Sequence, residues 1–361
     1  MRIAVLAVLL FPMLAAAPVH AQPDAVEATL KRAVADEGLA GGDVVIRDGA
    51  QATRYSAGYS DVDSKAGFAP NSHVRVGSFT KPFVAATILQ LVAEGTVDLD
   101  APIETYLPGR IRGEGIDPTT ITVRQVLRHQ SGLPDYFERL SELPQEPVNG
   151  HRLLDMALSR PAQFAPGAAM KYTNTNYIVA GLLIEKVTGR PATDEITARI
   201  VLPLGLFDTY FPAPGDRGLR VPFAHGYEVV DGVRTDVTDF NASAAWTAGG
   251  LISTNEDMTA FLTALLDGRV LPRPQLDEMM RTVPMPDAEG LLDYGLGLER
   301  ISLPCGVTVW GHGGDITGYH SFAAKAVDGP AIAVTLTQSP QSTAPADDPR
   351  GAILDAMYCP A

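Results

Sequence analysis

The chain has 361 residues, with 28 Lys+Arg against 42 Asp+Glu and a formal net charge of −14. Its 46% hydrophobic and 19% charged content excludes a disordered chain, and its 34 Gly and 28 Pro follow no fibrous period. An acidic chain without a basic patch repels phosphate backbones, which sets nucleic acid aside as a partner.

Arg2 precedes an apolar stretch from Ile3, and Val19-His20-Ala21 places small residues before a cut. This pattern reads as a secretory signal peptide over residues 1–21, cleaved before Gln22. Pro12 and Pro18 break the run, which falls short of a membrane span, and no later stretch is long and apolar enough to make one. The expectation is an exported protein, periplasmic or extracellular. In such a compartment Cys305 and Cys359 are expected to pair, closing a loop worth roughly 4 kcal/mol. Two buried free thiols are the alternative.

Periodicity predicts a helix over 25–36, then strands over 43–47 and 52–58 joined at Asp48-Gly49. A short strand over 73–77 leads into a helix over 79–94 that is apolar nearly all round and so belongs in the interior. Helical segments dominate from 98 to 240, at 123–129, 152–159, 177–188 and 192–200. Helices follow at 255–266 and 274–281, strands at 294–300, 307–310, 319–326 and 331–338, and a closing helix at 347–357. With strands at both ends, the predicted fold is α/β of the α+β type: an antiparallel sheet built from both termini and flanked by helices. Residues 22–97 and 241–361 would form the sheet domain, and 98–240 an inserted, mainly helical lobe.

Three short motifs carry chemistry. Ser78-Phe79-Thr80-Lys81 lies where a strand meets the buried helix. Residues three apart share a helix face, so Lys81 can reach Ser78 Oγ, and a desolvated lysine can lose its proton near neutral pH. Tyr172-Thr173-Asn174 opens a helix; a tyrosine near a lysine can exchange protons with a serine, and an asparagine can donate to a substrate carbonyl. His312-Gly313-Gly314 follows a strand, where an imidazole can carry charge or relay a proton and two glycines admit a ligand backbone. Each motif alone also suits a plain role: a serine cap with a surface lysine, a helix cap at Asn174 or Thr175, a glycine-rich turn.

Taken together, in this order and on these elements, the three motifs resemble the serine hydrolases of the class C β-lactamase and penicillin-binding superfamily, most nearly the secreted D-alanyl-D-alanine carboxypeptidases. Arg75-Val76-Gly77-Ser78, Leu127-Arg128-His129-Gln130-Ser131-Gly132-Leu133, Tyr294-Gly295-Leu296-Gly297-Leu298 and the two cysteines support the resemblance, which spans the mature chain. It implies that Ser78 is acylated, that Lys81 and Tyr172 handle its proton, that Asn174 orients the substrate amide and that His312 stands beside the tyrosine. It also implies an oxyanion hole from the Ser78 and Asp315 backbone N–H groups. Whether Lys81 or Tyr172 is the base stays open. The implied substrates are small peptides, esters or β-lactams, with no cofactor and no metal.

One departure bears on substrate. Where the resemblance places an arginine and hydroxyls for a substrate carboxylate, this chain has Glu299, Gly313 and Asp315. Arg300 is one residue off and, on a strand, should face the other way. An ester, an amide or a cationic terminus suits such a site better than a carboxylate. This favours an esterase or β-lactam hydrolase on the same scaffold; a non-catalytic binding or sensing protein is the remote alternative. Trp246 is a candidate cleft residue or an interface tryptophan, Asp135 and Tyr136 edge the cleft or make a turn, and His129 is expected to be structural.

Overall fold

The computed structural model describes residues 22–142, 146–286, 291–340 and 348–359; the leader expected at 1–21 lies outside them. Twelve strands are described: β1 (Gly41–Asp48), β2 (Gln51–Gly58), β3 (Val74–Arg75), β4 (Tyr227–Val230), β5 (Val233–Asp236), β6 (Ile252–Ser253), β7 (Val283–Pro284), β8 (Leu292–Tyr294), β9 (Glu299–Ser302), β10 (Thr308–Ile316), β11 (Tyr319–Ala326) and β12 (Ala331–Leu336). Eight of them form one sheet in the order β2-β1-β12-β11-β10-β9-β8-β7. Neighbours pair antiparallel, with Val44 of β1 opposite Val334 of β12. The first and last strands of the chain therefore lie side by side, as expected from hydrophobic runs at both ends.

Side-chain alternation gives the sheet two buried faces. Val44, Ile46, Phe322, Ala324, Ile332 and Val334 pack under the terminal helices Pro23–Asp36 and Pro349–Tyr358, against Val26, Leu30, Ile353 and Met357. Ala323 and Ala333 face the other core, which holds the helices Thr80–Ala93 and Asn255–Leu266. There Phe83 stacks on Phe261 with centroids 3.7 Å apart. The Thr80–Ala93 helix is buried nearly all round, as its lack of a polar face predicts. Cys305 and Cys359 are bonded, with Cα atoms 5.6 Å apart, which ties the end of the last helix to the turn before β10.

Two expectations need correction. The single strand expected over 294–300 is a hairpin, because Gly297 at φ +73° lets the chain turn between β8 and β9. The segment 98–240 gives no strand to the large sheet, and beside its helices β4 and β5 form a hairpin at Asp231-Gly232. That turn signal is legible in the sequence; the flanking strands are largely exposed and lack the alternation that would have flagged them. The strand expected over 73–77 is two residues long and gives way to a 3-10 turn, Gly77–Phe79. Among the described residues no helix is long and apolar enough to cross a membrane.

Candidate active site

Gly77 adopts φ +50°, and the turn it begins delivers Ser78 to the start of the Thr80–Ala93 helix. Lys81, in the first turn of that helix, is fully buried. Its Nζ lies 2.8 Å from Ser78 Oγ, 3.0 Å from Asn174 Oδ1 and 2.7 Å from the Ala248 carbonyl. A neutral amine has two N–H groups and one lone pair. The two carbonyl oxygens can only accept, so they take the two N–H groups, and the lone pair faces the Ser78 hydroxyl. Burial drives the Lys81 pKa down to about 7, partly opposed by the charges of Asp135 and Glu299. The proton on the Ser78–Lys81 line is thus the one that titrates.

Tyr172 shares a hydrogen bond with Ser78 and lies with its ring centroid 4.8 Å from Lys81 Nζ. Burial holds its phenol well above the usual range, so at neutral pH it is a proton donor. Of the two candidate bases, Lys81 is the one that loses a proton near pH 7. Thr173, not Asn174 or Thr175, caps the Asn174–Thr188 helix, its side chain accepting from Thr175 N. Asn174 is therefore free for the site. Its carbonyl accepts from Lys81, its backbone N–H donates to Asp135 Oδ2 at 3.1 Å, and its side-chain amide is 3.5 Å from the same oxygen. Only part of that amide is left for a substrate. Asp135, one of the two residues left between cleft and turn, thus orients Asn174.

The third motif lies inside β10 rather than after it, and β9 pairs only with Thr308–Gly311. Beyond that point β10 has β11 on one side and the Ser78 turn on the other. A Cβ on Gly314 would come within 1.9 Å of the Val76 carbonyl, and one on Gly77 within 2.9 Å of Asp315 N. Gly314 therefore admits the chain's own backbone, not a ligand's, and it brings the Asp315 backbone beside the Ser78 turn.

His312 is buried and its pKa falls to about 3, mainly by burial. Nδ1 is 2.6 Å from the Gly313 carbonyl and Nε2 is 2.9 Å from Tyr294 Oη. Both ring nitrogens are used within the protein, so the relay or cationic role expected for His312 is not what this geometry offers. Glu299 Oε2 accepts from Gly313 N at 3.2 Å, and burial raises its pKa to about 7. Burial alone would raise the Asp315 carboxyl, but His320 and Arg350 hold it below its usual range. Arg350 was missed by the sequence argument. It reaches Asp315 Oδ1 at 3.1 Å from the first turn of the last helix, while Asp348 occupies its Nε and Nη2. No local signal pointed there, because the pairing joins residues 35 apart in sequence.

Ser78, Tyr172, Asn174, Glu299, His312, Gly313 and Asp315 share the wall of one cavity of about 860 Å³. Its apolar side includes Tyr136, Phe137, Leu140, Val148, Leu291 and Leu354. Trp246 is not in that wall: its ring lies against Gly150 and Gly181, where a Cβ would come within 2.2 and 2.9 Å of it. It is a helix-packing residue, the interface alternative raised from sequence.

Residues 26–358 match the beta-lactamase family, and the chain belongs to it. The family is one of serine acyl hydrolases, with penicillin-binding proteins among its members. The structure is similar to that of a D-stereospecific amidohydrolase from Streptomyces sp., at 36% identity and a TM-score of 0.84, covering 93% of this chain and 98% of the other. It is also similar to the D-amino acid amidase from Ochrobactrum anthropi SV3 complexed with L-phenylalanine amide, at 29% identity and a TM-score of 0.83, with 93% and 98% covered. The D-aminopeptidase of Gluconobacter oxydans (strain 621H) is 28% identical over 298 residues, 79% of this chain and 53% of that protein. The chain spans about a third to two thirds of the length of the curated relatives it matches.

Proposed function

We propose that the chain is a serine amidohydrolase that cleaves the amide of a D-aminoacyl group bearing an apolar side chain, through an acyl intermediate on Ser78. The observation that carries this reading is the Lys81 amine, spent on two carbonyls and left with one lone pair for Ser78. Lys81 takes the Ser78 proton as Oγ attacks the substrate carbonyl. The developing oxyanion lies between the Ser78 and Asp315 backbone N–H groups. As the C–N bond breaks, the leaving nitrogen takes the Tyr172 proton, and the Lys81 proton restores the phenol. Water then attacks the ester, and its proton returns by way of Lys81 to Ser78 Oγ.

The cavity wall supports the choice of amide over carboxylate-ended peptide. Among the described residues it carries the acidic groups of Glu146, Glu299, Asp315 and Asp348 against the guanidiniums of Arg217 and Arg350. That excess favours a substrate ammonium. The apolar wall favours a large side chain, whose burial contributes about 2–3 kcal/mol. The D-stereospecific relatives point the same way. The carboxypeptidase reading keeps one observation in its favour: Arg350 does stand in the wall.

Ammonia release from D-phenylalanine amide, run beside D-alanine release from a diacylated L-Lys-D-Ala-D-Ala peptide, separates the two. The expected result is hydrolysis of the D-amide, much slower hydrolysis of its L-enantiomer, and a fall of ~10³ or more in Ser78→Ala. Preferential D-alanine release would overturn the amidase reading in favour of the carboxypeptidase.

A further inference from the structure

His129 belongs to the Leu127–Leu133 motif, which the chemistry above does not use, and its position carries two costs. It is fully buried, with its backbone at φ +58°. A left-handed non-glycine residue costs roughly 1–2 kcal/mol, and glycine or asparagine would fill the turn more cheaply. Its Nδ1 lies 3.2 Å from Thr173 N and 3.2 Å from Asn176 Nδ2. Two donors converging on one nitrogen require a lone pair there, so the ring proton sits on Nε2. Nε2 is buried without a hydrogen-bond partner, a further cost of about 1–3 kcal/mol.

What these costs secure is Tyr172. The His129 ring centroid is 4.3 Å from that of Tyr172, tilted by 31°, and 4.7 Å from that of Tyr294, which it meets edge-on. The backbone on either side of Tyr172 is held by the same residue: Lys171 N donates to the His129 carbonyl at 2.9 Å, and Thr173 N to its ring. We propose that His129 is the positioning residue for Tyr172, its ring serving as the bed on which the phenol lies and its backbone and Nδ1 fixing both flanking peptides. The inference rests on the reading that Tyr172 passes the proton to the leaving group. The left-handed turn is then the geometry that brings one residue against Tyr172 by ring and by backbone at once, and the unpartnered Nε2–H is the residue of using a flat ring where an amide would satisfy the turn.

The test separates ring from turn. Asparagine tolerates φ > 0 and can offer its side-chain oxygen to Thr173 N–H, so His129→Asn keeps the turn and removes the ring. Ser78 acylation is followed with p-nitrophenyl acetate, a neutral ester that any such serine centre can turn over, alongside D-phenylalanine amide. In His129→Asn, kcat on the amide should fall ~100-fold with KM changed less than about threefold and with a melting temperature close to that of the unaltered protein. The loss should be non-additive with Tyr172→Phe, because one residue acts through the other: the double variant should be no slower than Tyr172→Phe alone. His129→Gly repeats the comparison if the Asn variant does not fold. Full activity of a folded His129→Asn, or additive losses, would overturn the proposal and leave the tyrosine's role standing. Full activity of Tyr172→Phe would overturn the proton-transfer reading itself, and the proposal with it.

Discussion

At the scale of single residues, the centre depends on keeping an amine dry. The Lys81 pKa falls from 10.5 to about 7 because its Nζ is removed from water and shares its cavity with only partial compensation from Asp135 and Glu299. Activity should therefore rise with pH through about 7, as the amine becomes free to take the Ser78 proton. The same burial has a stability consequence. Between pH 7 and 10.5 the unfolded chain holds this proton and the folded chain does not, so folding gains as pH rises through that window. The full span is worth roughly 5 kcal/mol. Urea unfolding of the unaltered protein and of Lys81→Met, compared at pH 7 and pH 10, should show their difference moving in favour of the lysine at the higher pH. A difference that stays flat would mean that Lys81 is not perturbed. Residue-scale chemistry was also the most legible part of the sequence. The i, i+3 spacing of Ser78 and Lys81 announces a contact that one helical turn enforces. Arg350 and the roles of Asp135 and His129 were not legible, because each acts on a residue far away in sequence through a contact that only the folded chain makes.

At the scale of elements, the site is made by β10 running hard against the Ser78 turn. The sequence showed the two glycines after His312 but suggested a ligand would use the space; Gly313 lines the cavity, whereas Gly314 gives its space to the Val76 carbonyl. Ser321 Oγ, 3.2 Å from both the Val76 and Gly314 carbonyls, fastens β11 to the same junction. Gly314→Ala would force β10 away from the turn by more than a side-chain adjustment can absorb. The expected result is a loss of about 2 kcal/mol or more of stability together with a fall in kcat. Thermal melting and ester turnover in parallel check it; an Ala variant with unchanged values for both would show that the junction is loose. The helices were read from sequence with fair bounds because their apolar periodicity is strong. The β8–β9 hairpin was not, since Tyr294-Gly295-Leu296-Gly297-Leu298 is apolar throughout and its turn depends on Gly297. From sequence the last helix reads only as a closing element, yet it supplies Arg350 and Leu354 to the cavity wall.

At the scale of the whole molecule, the two ends of the described chain are fastened to each other. The terminal helices Pro23–Asp36 and Pro349–Tyr358 pack on the same sheet face, and Gln22 Nε2 donates to the Cys359 carbonyl at 2.9 Å. The Cys305–Cys359 bond closes a separation of 54 residues around β10, β11 and β12. Replacing both cysteines by serine should destabilise the fold by about 4 kcal/mol, and the loss should fall on the cavity too, because Arg350 and Leu354 ride on the tethered helix. Denaturant titration with and without reductant measures the first effect; D-amide turnover of the reduced protein measures the second. Unchanged stability on reduction would show that helix packing alone holds this end. The antiparallel sheet drawn from both termini was foreseeable, because alternating and apolar runs cluster at the two ends of the sequence.

That closure governs how the molecule comes into being. β1 leaves the ribosome among the first structured residues, but its inner partner is β12, nearly 300 positions later; Gly42 pairs with Leu336. Until the last strand is made, Val44 and Ile46 have only the β2 hairpin and the Pro23–Asp36 helix, too small a unit to stand in water. The nascent chain cannot settle domain by domain, and the loop that must close is nearly the entire protein, which places folding among the slow, non-local cases. The serine centre is therefore assembled late. A chain interrupted between Asn174 and β10 carries Ser78, Lys81, Tyr172 and Asn174 in its sequence and lacks the strand that runs against the Ser78 turn.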